Sequence, residues 1–192
     1  MNRFRVVLAS AIAASGLGVA ACAPQSASPV PQESAPRSSA VDPAMPRVEH
    51  PKDLEAVEDP CQLLRPDQLA QLGVVGEPIR EQSPWGEALC VWGARTDGVR
   101  VNLAPVTTLN IGLRSVLRSV SKTAPDDNVD GYPVVVSQPL TYSCGIYVST
   151  TPEDTFSLNV DRGDSDRVDQ QDPCALAKQV ASMVLSNIPD KN

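Results

Sequence analysis

Histidine is almost missing from this chain: His50 is the single one in 192 residues. A serine or cysteine nucleophile would therefore lack its usual imidazole base, and neither a Gly-x-Ser-x-Gly elbow nor a glycine-rich phosphate loop occurs. No Cys-x-x-Cys pair is present, which leaves a zinc site without its ordinary frame. Carboxylates are plentiful but fall in predicted loops, so the expectation is a non-enzyme with no cofactor and no metal. Basic residues are outnumbered 16 to 23, and a net charge of −7 makes nucleic acid an unsuitable partner. Aromatic residues are scarce at 4%, which singles out the two tryptophans, Trp85 and Trp92, for scrutiny.

A long apolar run is also absent. Val6 to Ala21 is apolar and alanine-rich, but too short to sit comfortably in a bilayer as a permanent span. It follows Arg3 and Arg5 and ends in small residues, as a cleavable leader does. The two arginines are not adjacent, so the twin-arginine route is not indicated. Val19-Ala20-Ala21-Cys22 then has the form of a bacterial lipobox, whose cysteine takes a diacylglycerol while the leader is cut just before it. Residues 1–21 are thus expected to be a signal peptide and Cys22 the lipidation site, placing the protein on the extracytoplasmic face of a cell membrane. Ala23 to Pro51 carries seven prolines among serine and alanine, with no apolar periodicity. Such a segment buries too little surface to offset its ordering entropy. Residues 22–51 are read as a flexible tether and 52–192 as one domain. Without Arg3 and Arg5 the mature chain has 14 basic against 23 acidic residues, a net charge near −9.

Setting Cys22 aside leaves Cys61, Cys90, Cys144 and Cys174. An even number in an exported domain suggests two disulfides, for which three connectivities exist. Cys61–Cys90 with Cys144–Cys174 is favoured, because each bond would tie the start of a helix to a neighbouring strand across a similar loop.

Asp59-Pro60-Cys61 and Asp172-Pro173-Cys174 each have a capping aspartate followed by proline at the first helical position. Pro66 restarts the first helix and Gly73 ends it. Val74 to Gln82, Leu89 to Ala94 and Val99 to Leu103 are expected strands, the last two forming a hairpin about Asp97-Gly98. Leu109, Leu113, Val116, Leu117 and Val120 recur at helical spacing, predicting a helix over 110–121. An acidic loop over 125–131 precedes a strand at 133–137. Tyr142 to Val148 and Phe156 to Val160 alternate as strands do. Leu176, Val180, Met183, Val184 and Ile188 line one face of the closing helix. Together these predict an α+β domain: a mostly antiparallel sheet of five or six strands, two or three helices packed on one face, and two disulfides.

Asp59-Pro60-Cys61 with Leu63-Leu64 and Leu72-Gly73, Cys90-x-Trp92, Asp130-Gly131-Tyr132-Pro133, Cys144 and Asp172-Pro173-Cys174 stand in a characteristic order. In that order and spacing the chain resembles the actinobacterial lipoproteins of domain-of-unknown-function family 3558, over roughly Pro51 to Pro189. The resemblance implies an envelope lipoprotein and carries over no functional residue. A looser likeness, of architecture alone, is to the disulfide-stapled extracellular sensor domains of mycobacterial serine/threonine kinases.

Three surface features are candidates for binding. Arg114, Arg118 and Lys122 lie four apart and would form a basic stripe on the central helix, suited to an anionic headgroup or acidic partner. Trp85, in a Pro-Trp-Gly turn, is the better-placed aromatic anchor, whereas Trp92 is expected to pack over the disulfide of Cys90. Asp161, Asp164, Asp166 and Asp169 do not match the twelve-residue calcium loop and are read as a solvated acidic loop. The expected function is a membrane-anchored, non-enzymatic binding module for an envelope protein, a cell-wall component or a small amphiphile. The alternative is a regulatory accessory lipoprotein modulating a membrane sensor or an envelope stress pathway, and an envelope enzyme is the third and least favoured reading.

Overall fold

Two aspartates set where the helices begin. The Asp59 carboxylate accepts the Cys61 N–H at 3.0 Å, and Asp172 accepts the Cys174 N–H at 3.1 Å. Each cap is followed by proline, whose missing N–H leaves no donor unsatisfied there. The first cap opens only a 3-10 turn, Pro60–Gln62, before Pro66 restarts the chain as α1 (Pro66–Gln71). Gly73, at φ +66°, then reverses its direction. The second cap opens the longest helix, α3 (Pro173–Leu185). These elements belong to a computed structural model that describes residues 45–93, 98–107, 109, 111–163 and 171–192. The segment expected to be a leader, Cys22, most of the segment expected to be a tether, Asp97, Asn110, Asp164, Asp166 and Asp169 lie outside the described residues.

Seven strands form one antiparallel sheet: β1 (Ile79–Gln82), β2 (Ala88–Trp92), β3 (Arg100–Val106), β4 (Asp127–Val129), β5 (Tyr132–Pro139), β6 (Ser143–Ser149) and β7 (Thr155–Asp161). Their spatial order is β1-β2-β3-β7-β6-β5-β4, so two hairpin-linked runs meet along β3 and β7. The expected count of five or six strands is therefore too low. The strand not foreseen is β4, which lies in the segment expected to be an acidic loop. Val129 pairs with Tyr132 across Asp130-Gly131, and both turn residues have positive φ, 53° and 92°. That is the geometry a two-residue hairpin demands, and it overrides the low strand propensity of Asp127-Asn128.

The expectation that all helices share one face also fails. On one face, Leu176, Val180 and Val184 of α3 share one core with Trp92, Leu103, Ile146 and Phe156, and residues of the 3-10 turn and α1 belong to the same core. Both disulfides belong to this layer. Cys61–Cys90 ties the 3-10 turn to β2 and Cys144–Cys174 ties β6 to α3, each with Cα atoms 5.0 Å apart. These are the two pairings favoured from the sequence.

The helix after β3, α2 (Leu113–Ser119), packs on the opposite face. Leu113, Val116 and Leu117 cover Val135, joined by Tyr147 and Met45. Period-3.6 patterning fixes which side of a helix is apolar but not which side of a sheet receives it. Gly112 lets α2 begin hard against the β6–β7 turn: a Cβ there would lie 2.1 Å from the Pro152 carbonyl oxygen. The helix is short, and it covers only the β5–β6 end of its face.

The start and end of the body are clasped together. Asp53 N–H donates to the Pro189 carbonyl and Lys191 N–H to that of Pro51, both at 2.8 Å. Lys52 Nζ meets Asp190 Oδ1 at 2.7 Å, and Lys191 Nζ meets the buried Asp154 Oδ2 at 3.0 Å. Packing begins before residue 52: Met45 and Val48 lie against the two apolar clusters, and the Tyr132 hydroxyl donates to the His50 carbonyl at 2.5 Å.

These ion pairs give stability a pH dependence. The Arg80 guanidinium and the Cys61 N–H hold the Asp59 carboxyl below its usual range, as Lys178 and the Asn128 N–H do for Asp127 and Lys52 does for Asp190. At Asp126 burial pushes upward, but the Lys122 ammonium and the Val136 N–H outweigh it and the net shift is also downward. A depressed folded-state value means stability that is complete above the unfolded value of about 3.9 and is lost as pH falls through the lower folded values. The thermal midpoint should accordingly stay level from pH 7 to 5 and drop below about pH 4. A midpoint unchanged down to pH 3 would show that these pairs contribute nothing.

Candidate functional site

Because α2 covers only part of its face, the middle of the sheet remains open beside it. The opening is a groove of about 320 Å³, at the lower end of the size range of small-molecule pockets. Its floor is one row of the sheet. Asn102 on β3 pairs with Asn159 on β7, which pairs in turn with Gly145 on β6, and Gly145 with Gln138 on β5. Both asparagines are half-buried. Among the described residues neither carboxamide has a hydrogen-bond partner within the protein, so their donors and acceptors face the groove unpaired.

A bulge shapes the far side. The β5–β6 register slips between Val136 and Gln138, so Ser137 is the extra residue and its side chain is turned into the groove. Gly145 lies opposite. A Cβ on it would come 2.9 Å from Ser137 Oγ and 3.5 Å from Asn159 Nδ2, so any side chain there would fill the floor. Ser119 and Val120, at the end of α2, and Tyr147 form one wall; Trp85 and Leu89 form the other.

Trp85 sits in the β1–β2 turn, where Gly86 at φ +89° allows the sharp reversal, and it is 47% exposed. Such exposure leaves one flat apolar surface available at the groove. Trp92, in contrast, is fully buried in the main core with Cys61 and Cys90. No described lining residue carries a charge.

The three basic residues expected to form a stripe are not in one helical row. Arg114 and Arg118 lie on α2, and Arg118 reaches the Ser115 hydroxyl at 3.4 Å. Ser121 adopts φ 57° and ends the helical path before Lys122. Lys122 then folds back, meeting Asp126 Oδ2 at 2.6 Å and the Val136 carbonyl at 2.7 Å. It serves as a clasp between the loop after α2 and β5. The groove residues Asn102, Asn159, Ser137 and Gly145 carried no sequence signal, since polar residues alternating along a strand also describe an ordinary wet face.

The sheet, its two staples and the uncovered row define a disulfide-pinned antiparallel domain with a polar groove beside α2. A family match extends over residues 17–187, and the chain belongs to that family, described as Protein of unknown function (DUF3558). No curated protein and no solved structure matches it.

Proposed function

We propose that the protein is a lipid-anchored envelope lipoprotein of the actinobacterial kind and acts as a non-enzymatic binding module, with the groove beside α2 as its ligand seat. The observation that carries the binding function is the Asn102–Asn159 row: two adjacent carboxamides held half-buried by the sheet and unpaired within the described residues. Both side chains are partly exposed in the groove, so a ligand can take the hydrogen bonds that water otherwise makes to them. The lipobox ending at Cys22, the proline-rich segment behind it and the two disulfides support an extracytoplasmic, anchored location. No helix among the described residues is long and apolar enough to cross a membrane.

Two measurements test this. Cys22→Ser should move the protein out of the membrane fraction; retention of a processed Cys22→Ser chain would remove the anchor. In the ¹⁵N-labelled protein, fractions of an envelope extract should move the side-chain amide signals of Asn102 and Asn159. If lipid, glycan and protein fractions all leave those signals in place, the groove is not a ligand seat.

A further inference from the structure

We infer that the groove takes an uncharged saccharide, its ring face against Trp85 and its hydroxyl edge on the Asn102–Asn159 row. The inference rests on the groove being the ligand seat and adds the chemistry of what fills it. Charge comes first. The protein carries −7 overall, yet no described lining residue is ionised. Among the described lining residues a phosphate or carboxylate ligand would find no guanidinium or ammonium to bind it, and a cationic ligand no carboxylate. Neutral ligands remain.

The floor separates the neutral classes. A carboxamide offers one acceptor oxygen and two donor hydrogens, and a hydroxyl both donates and accepts. Two neighbouring carboxamides with Ser137 on the bulge thus complement a run of vicinal hydroxyls. An acyl chain on the same floor would strip water from Asn102 and Asn159 and return no hydrogen bond.

The wall completes the match. Trp85, half-exposed, presents a flat apolar surface beside Leu89, while Val120 stands across the groove. A sugar ring is amphipathic in the corresponding sense, with C–H groups on its faces and hydroxyls around its rim. Few other small neutral molecules pair an apolar face with a continuous polar edge.

The test uses the full-length protein in mild detergent and two neutral probes, triacetylchitotriose and cellotriose, against dodecylphosphocholine as the amphiphile. Because Trp92 is fully buried, acrylamide quenching of tryptophan emission reports chiefly on Trp85. A fitting trisaccharide should protect that emission and move the Asn102 and Asn159 side-chain amide signals. Trp85→Ala and Asn159→Ala should each weaken binding about tenfold, about 1.4 kcal/mol. Gly145→Val should abolish it, and Tyr142→Ala, an exposed aromatic outside the groove lining, should change nothing. Affinity that climbs from monosaccharide to trisaccharide marks a polymeric glycan as the source, and equal affinities mark a free sugar; either supports the inference. If only dodecylphosphocholine moves the groove signals, the saccharide is excluded while the binding module stands. If no probe moves them at millimolar concentration but an envelope protein fraction does, the saccharide is again excluded. If neither probes nor envelope fractions move them, both fall together.

Discussion

Phe156→Ala lowers the free energy of unfolding by about 3–5 kcal/mol, the ordinary range for truncating a large aromatic side chain in a well-packed interior. Phe156 has no exposed surface, and it lies on β7, the strand where the two halves of the sheet join. Its neighbours in register are Pro105 on β3 and Val148 on β6. None of these can swing in to fill a ring-sized void, because backbone ladders hold all three strands. For a body of this size the loss corresponds to a fall of roughly 10–15 °C in the thermal midpoint. Circular dichroism on heating would measure it; a fall of less than roughly 3 °C would mean that the core relaxes around the gap.

The second large effect concerns Cys144–Cys174. Replacing both cysteines by serine removes a crosslink spanning 30 residues, for which chain-entropy arithmetic gives roughly 3.5 kcal/mol. The bond joins the start of β6 to the first turn of α3, so it shortens the search that brings the last helix back to the sheet. Guanidinium unfolding should show the midpoint displaced to lower denaturant, and a steeper slope if the denatured chain becomes more extended. A loss below about 1 kcal/mol would mean that the Asp172 cap and the α3 packing already hold the helix without the crosslink.

Much of the fold was legible because single residues carry strong local rules. The Asp-Pro-Cys triplets name their own helix starts, and both disulfides follow from where those starts must sit. Alternation in Cys144-Gly145-Ile146-Tyr147-Val148 and in Phe156-Ser157-Leu158-Asn159-Val160 gave two strands nearly to their ends. Asp130-Gly131 was equally explicit, yet the acidic run before it masked β4. A three-residue strand has too few positions to show a period, so only its turn could reveal it.

The groove was hidden for a different reason. Asn102 and Asn159 are 57 residues apart in sequence, and only the β3–β7 register sets them side by side. Register between strands distant in the chain depends on long-range pairing and is not encoded in either strand alone. The side of the sheet chosen by α2 has the same origin. Lys122 illustrates the converse failure: helical spacing placed it in a row with Arg114 and Arg118, and Ser121 broke the row with a backbone conformation uncommon for serine. Trp85 was readable as a turn residue, although the sequence favoured a place at the edge of the core and did not say which surface it would overlook.

The joined ends of the body have a consequence for its topology. With Pro51 hydrogen-bonded to Lys191, and Lys52 ion-paired with Asp190, the polypeptide is nearly a closed ring. A short peptide bridging those ends would complete that ring, and the chain could then be cut open at the β5–β6 tip around Thr141 with every ladder preserved. Circularly permuted versions of this domain are thus compatible with its architecture, and a linker could leave it from a different corner without altering the sheet.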